Sequence, residues 1–137
     1  MRIAVIDGQG GGIGKVIVEK LRKEFGEEIE ISAFGTNALA TAAMLKHGAN
    51  EGATGENAIV QNVPKMDIIT GPLGIIAAHS MLGELTPLMA EAIAKSTARK
   101  ILLPINRNGI EVVGTKAGPL PHLIDALLIQ IKEVWKG

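Results

Sequence analysis

With 137 residues and 14 basic against 14 acidic side chains, the chain is expected to form a single domain over residues 1–137, burying roughly two thirds of its unfolded surface. Its basic residues stand singly or in pairs such as Arg22-Lys23 and Arg99-Lys100, which excludes the basic stripe of a nucleic-acid binder. The absence of cysteine excludes disulfides, thiolate metal sites and cysteine nucleophiles.

Met1 leads straight into an apolar run, with no charged start, apolar stretch and cleavage site, so a cytoplasmic protein is expected. Ile3 to Ile6 is the first predicted strand. It enters a loop with glycines at 8, 10, 11, 12 and 14. A helix leaves the loop, because Ile13, Val16, Ile17, Leu21 and Phe25 recur at the spacing of one buried face, with Glu19, Lys20, Arg22 and Lys23 mostly turned to water. Strand, glycine loop and helix together put free backbone N–H groups at a helix N-terminus, where anions are attracted.

Glu30 to Phe34 is a second strand, followed by Gly35 and the helix caps Thr36 and Asn37. A helix from Ala38 to His47 closes at Gly48. Residues Gly48 to Asn57 read as a polar, glycine-rich loop, and Glu56 to Val63 as a short helix. Met66 to Thr70 is the third strand, ending in Gly71-Pro72, and an irregular helix is predicted over Ile75 to Leu82. The apolar region from Ile68 to Leu82 is broken by Gly71, Pro72, Gly74 and His79 and is too short to span a bilayer.

Thr86-Pro87 starts a helix. Lys100 to Ile105 is the fourth strand, placed near an edge by Pro104. Asn106 to Gly109 is turn chemistry, from which Ile110 to Val113 is expected to pair back as a hairpin. The last helix runs from Pro119–Pro121 to Trp135. Strands alternating with helices predict a three-layer, Rossmann-like α/β fold: a mostly parallel sheet of four to five strands with helices on both faces. Ligands of such folds bind at the carboxyl ends of the strands, where the loops Asp7–Gly14, Gly35–Asn37, Gly71–Gly74 and Asn106–Gly109 would meet.

The glycine spacing does not fit the dinucleotide pattern GxGxxG; Gly8, Gly12 and Gly14 make GxxxGxG instead. GGGIG at 10–14 resembles the cofactor loop of short-chain dehydrogenases, which implies NAD or NADP. That family's catalytic tyrosine has no counterpart in a chain without tyrosine. Phe34, Gly35 and Thr36 stand where an acidic residue usually grips the ribose of NAD. QGGGIGKV, Gln9 to Val16, also resembles the deviant Walker motif of partitioning ATPases, with Gly11, Gly12, Gly14 and Lys15 in register, which implies ATP or another nucleotide. Gly10 replaces the signature lysine and Val16 the magnesium-binding hydroxyl.

The candidate cofactor-binding residues are Asp7, Gly8, Gln9, Gly10, Gly11, Gly12, Ile13, Gly14, Thr36, Asn37, Gly71, Pro72 and Arg107. The alternative for the loop is a tight unliganded turn, for which one or two glycines suffice. Two or three charge-assisted hydrogen bonds of about 1.5–3 kcal/mol each and a helix terminus of at most ~2 kcal/mol barely reach the ~8 kcal/mol of micromolar binding, so the other loops must contribute. Asp7 is read as accepting loop N–H groups rather than as a base or metal ligand. His79 is read first as a core histidine and second, with Lys15, as a catalytic candidate; Arg107 is either solvated or on a second phosphate. His47, His79 and His122 are too dispersed for a metal site. A homodimer or higher homo-oligomer is expected from the aliphatic composition, 47% hydrophobic with few aromatics.

IDGQGGGIGK (6–15), GTNALATAAML (35–45), GANEGATGENA (48–58), GPLGI (71–75) and MLGELTP (81–87) together resemble a family of short bacterial proteins known only as a domain of unknown function. That resemblance implies a Rossmann-like protein and supplies no activity or catalytic residues. The leading expectation is a nucleotide or dinucleotide binder acting as a regulator or cofactor-binding subunit. A small redox or phosphoryl-transfer enzyme and an unliganded assembly protein are the alternatives.

Overall fold

The computed structural model describes residues 1–105, 109–116 and 118–136. In chain order its elements are β1 (Arg2–Asp7), α1 (Gly12–Phe25), β2 (Glu30–Gly35), α2 (Ala38–Lys46), β3 (Glu51–Thr54), α3 (Glu56–Asn62), β4 (Ile68–Pro72), α4 (Pro87–Lys95), β5 (Arg99–Leu103) and α5 (Leu120–Lys136). The five strands form one sheet in the order β3-β2-β1-β4-β5, and every pairing is parallel. The fold is therefore the three-layer α/β architecture expected.

β1 is central and hydrophobic on both sides because both sides are covered. Ile3 and Val5 pack with Ile17, Leu21 and Phe25 of α1 and with Ile124, Leu127 and Ile131 of α5. Ala4 and Ile6 point the other way, into a second core with Ile59 of α3 and Met89 and Ile93 of α4. This two-sided burial is what near-continuous apolar runs in parallel strands require. The chain winds outward from β1 through β2 to β3, then returns to lay β4 on the opposite side of β1 and continues to β5. The reversal leaves a crevice at the carboxyl ends of β1 and β4, the position where open α/β sheets bind ligands.

Local chemistry fixes the helix ends. Asn37 Oδ1 accepts from Ala40 N at the start of α2, and Thr86 Oγ1 accepts from Met89 N at the start of α4, each an N-cap of about 1 kcal/mol. His47, at the end of α2, has Nδ1 2.8 Å from Ala43 O. Trp135 meets Phe25 edge to face, with centroids 5.2 Å apart. Arg22, expected to face water, instead ties the end of α1 to the chain before β3, donating to Gly26 O, Gly48 O and Asn50 Oδ1.

Three segments depart from the sequence reading. The polar segment Gly48–Asn57 contains β3, an edge strand that pairs only with β2; its residues are exposed on both faces apart from a half-buried Ala53, so hydrophobic alternation had nothing to report. Over Ile75 to Leu82 there is no irregular helix but a 3-10 turn, Leu73–Ile76, followed by reversals with positive φ at His79, Met81 and Leu82. Among the described residues Ile110 to Val113 forms no hairpin strand, β5 pairs with β4 alone, and Val113 is fully exposed. Of the predicted turn, residues 106–108, and with them Arg107, lie outside the described residues.

Candidate functional site

β1 delivers Asp7 to the crevice, and the chain then turns sharply into α1. Gly11 N donates to Gly8 O at 2.9 Å, closing the turn. Asp7 is 5% exposed. Its two carboxylate oxygens accept separately from Gly8 N at 2.8 Å and from Gly14 N at 2.6 Å. The carboxylate thus caps the first turn of α1 from inside, as the sequence reading had it. Among the described residues, no hydrogen bond engages the backbone N–H groups of Gly10, Gly12 or Ile13.

The five glycines divide by what a side chain would meet. At Gly14 a Cβ would lie 2.7 Å from Met44 Sδ and 2.8 Å from Asp7 Cβ. At Gly11, whose φ of +70° already favours glycine, it would lie 2.9 Å from Ala40 Cα; at Gly8 it would press on Thr36, Met81 and Glu84. Gly11 and Gly14 are thus required by the fold, whereas at Gly8 the neighbours are side-chain atoms that would have to give way. At Gly10 and Gly12 a Cβ would meet nothing within 4 Å, and neither has positive φ. Nothing among the described residues demands glycine at either position.

Gly10 and Gly12 border a cleft of about 500 Å³ whose floor also includes Asp7, Gln9 and Ile13. Pro72, Gly74, Met81, Leu82 and Ile105 make the facing, largely apolar wall. The segment carrying Met81 and Leu82 is held in an unusual conformation, with φ of +73°, +58° and +57° at His79, Met81 and Leu82. Such angles cost roughly 1–2 kcal/mol per non-glycine residue and collect at functional sites. The buried Ser80 hydroxyl, donating to Gly74 O at 2.6 Å, and the His79 N to Leu85 O bond brace it. Leu82 is left 96% exposed at the rim.

On the other side of β1 the crevice is closed. Glu84 Oε1 accepts from Gln9 N at 2.8 Å, Thr36 Oγ1 at 2.6 Å and Asn37 Nδ2 at 2.9 Å, so one oxygen joins the loops after β1 and β2. Asn37 Nδ2 also donates to Gln9 O. The Thr36 hydroxyl first, then the Gln9 N–H, with a smaller share from Asn37, hold the Glu84 carboxyl below its ordinary range, partly offset by burial.

Of the residues predicted for the site, the cleft lining brings together Asp7, Gly8, Gln9, Gly10, Gly12, Ile13 and Pro72. Gly11 and Gly14 are packed beneath it, Gly71 is pressed against Ile6 O, and Thr36 and Asn37 are engaged by Glu84. Lys15 is half-buried in α1 and does not line the cleft. His79 is exposed rather than in the core and also stands outside the lining, because its segment turns back on itself instead of forming a helix. Among the described residues there is no group of three or more His, Asp or Glu side chains able to hold a metal ion, and no helix is long and apolar enough to cross a membrane.

The loop Gly71–Gly74, expected at the ligand edge, does contribute Gly74 to the lining, but sequence reasoning missed Glu84, Met81, Leu82 and Ile105. Only Glu84 left a signal: it is the sole acidic residue between Asp67 and Glu91, a lone charge in an apolar stretch with a partner to find.

The same architecture occurs in a dodecameric FMN-dependent UbiX-like decarboxylase from Escherichia coli O157:H7, with a TM-score of 0.57 and 13% sequence identity over 96% of this chain and 95% of that one. No functionally curated protein matches the sequence. The model of the family described as "Domain of unknown function (DUF3842)" matches residues 2–136, and the chain belongs to that family.

Proposed function

We propose that the cleft binds the phosphate of a nucleotide cofactor, and that the protein holds this cofactor as a regulator or cofactor-binding subunit. The carrying observation is the pair Gly10 and Gly12: they are open to the cleft, needed among the described residues neither for packing nor for backbone geometry, and adjacent to N–H groups that those residues leave unused at the start of the 14-residue α1. Absent side chains there make sense if a bulky anion comes close to the main chain. Pro72, Met81, Leu82 and Ile105 offer aliphatic contact to a base or ring system, in keeping with a chain poor in aromatics. The volume lies in the range of ordinary small-molecule sites, roughly 300–1,000 Å³.

A fold shared with a protein described as FMN-dependent adds flavin mononucleotide to NAD, NADP and ATP as probes. Asp7 is the one ionisable side chain among the described lining residues, and both its oxygens are committed to the loop. That favours holding a cofactor over acid–base catalysis by side chains. Asp7 also limits the charge the site accepts, since a phosphate must rest on the outer N–H groups of Gly10, Gly12 and Ile13.

The test is thermal unfolding of the protein with FMN, ATP, NAD, NADP and inorganic phosphate, repeated on Gly12→Leu, whose side chain enters open space. Saturable stabilisation of the wild type by at least one nucleotide, weakened by about tenfold or more in affinity in a variant that still folds, supports the reading. Stabilisation by none of them, or equal binding by Gly12→Leu, refutes it.

A further inference from the structure

A dinucleotide on a sheet edge of this kind needs two neighbouring spaces. Its pyrophosphate sits over the glycine turn at the helix N-terminus, and its adenosine ribose lies at the end of β2, where an acidic side chain grips it. Here one space is open and the other is occupied by the protein. We propose that Glu84 is a specificity-determining residue that seals the β1–β2 crevice and restricts the cleft to ligands carrying a single nucleotide; this rests on the nucleotide reading above.

Three observations carry it. β2 ends in Phe34-Gly35 and is followed by Thr36, with no acidic side chain to receive a ribose. The three donors that face the crevice, Gln9 N, Thr36 Oγ1 and Asn37 Nδ2, all converge on Glu84 Oε1. The space above Gly8 is filled as well: the position of its missing Cβ lies 2.4 Å from Thr36 Oγ1, 2.5 Å from Met81 Sδ and 3.0 Å from Glu84 Oε1. The open cleft lies toward β4 and β5, and none of Thr36, Asn37 or Glu84 lines it. An adenosine ribose would have to expel the carboxylate and leave three donors to find new partners. A ribose 2′-phosphate would meet the carboxylate's charge besides.

Titration calorimetry of the full chain with FMN as single-nucleotide probe and NAD as dinucleotide probe tests this, for wild type, Glu84→Ala and Glu84→Gln, with circular dichroism reporting the fold. The wild type should bind FMN at least about tenfold tighter than NAD. In Glu84→Ala that preference should shrink by about tenfold, whereas Glu84→Gln, which keeps the shape and an acceptor oxygen, should stay within about threefold of wild type. If Glu84→Ala does not fold, Glu84→Asp withdraws the carboxylate by one methylene and should move the preference in the same direction. Equal wild-type affinity for the two probes, an unchanged preference in the shortened variants, or NAD binding that Glu84→Ala abolishes would each overturn the proposal while leaving nucleotide binding intact. Absence of binding by either probe would overturn this proposal, while the nucleotide reading itself falls only if ATP, NADP and phosphate fail to stabilise the protein as well.

Discussion

The two flanks of the β1 carboxyl end are built from the same glycine-rich turn and come to opposite ends. Toward β2, the turn is welded to the rest of the protein: Gly11 lies against Ala40 and Gly8 lies under Thr36, Met81 and Glu84, and a single carboxylate oxygen draws Gln9, Thr36 and Asn37 together. Toward β4, the same turn faces a cleft across Gly10 and Gly12, with main-chain donors that the described residues leave unused. A count of glycines cannot separate these uses. What separates them is whether a methyl group at each position would strike the protein's own backbone or enter empty space.

The strongest way to break this contrast is on the welded flank. Gly11→Ala combines a left-handed φ of +70° with a Cβ 2.9 Å from Ala40 Cα, which is backbone and cannot swing aside. Strain of about 1–2 kcal/mol and overpacking of about 1–3 kcal/mol should together lower the free energy of unfolding in urea by about 3 kcal/mol. A loss under about 1 kcal/mol would mean that α2 is free to retreat and the flank is not welded.

Asp7→Asn comes next, because it tests the hinge between the flanks. Gly8 N and Gly14 N each use one carboxylate oxygen, and an amide offers only one acceptor while its NH₂ faces the other donor. The expected cost is about 1–3 kcal/mol. With the charge gone, phosphate should bind more tightly to whatever folded protein remains. Stability and affinity falling together would show that Asp7 does more for the ligand than order the loop.

Glu84 provides a smaller effect with a definite sign. Its carboxyl titrates below the ordinary 4.5 because the folded protein supplies donors to the charged form. The bridge therefore adds stability that is fully present above the unfolded value, near 4.5, and is lost as the pH falls through the lower folded value. The difference in melting temperature between wild type and Glu84→Ala should be constant from pH 7 down to about 5 and shrink below it. A difference that persists unchanged into strong acid would assign the stabilisation to packing by the Glu84 methylenes rather than to the carboxylate charge.

How far the sequence reaches follows from the same contrast. The run from Ile3 to Phe25 was readable because burial on both sides of β1 and on one face of α1 leaves its period in the residues, and Thr86-Pro87 was readable because capping is local. β3 was not, since an edge strand exposed on both faces has no period to show. The cleft wall at Met81 and Leu82 was hidden for another reason: non-glycine residues take positive φ there only because surrounding bonds compel it. Glu84 meets Gln9 across 75 residues of chain, and no local pattern encodes such a distance.

The smallest effect bears most directly on the open flank, and its sign is opposite. Gly12→Ala adds a methyl group at the first position of α1, with no atom of the described residues within 4 Å and no positive φ to resist it. Removing glycine's freedom from the unfolded chain should raise stability by about 0.4–1 kcal/mol. A residue whose replacement improves the fold is one the fold did not choose. The ligand-free protein should therefore melt slightly higher than wild type, while its nucleotide-induced shift becomes smaller. If the variant melts lower, Gly12 has an internal structural duty, the two flanks no longer differ in kind, and the open glycines cease to point to a ligand.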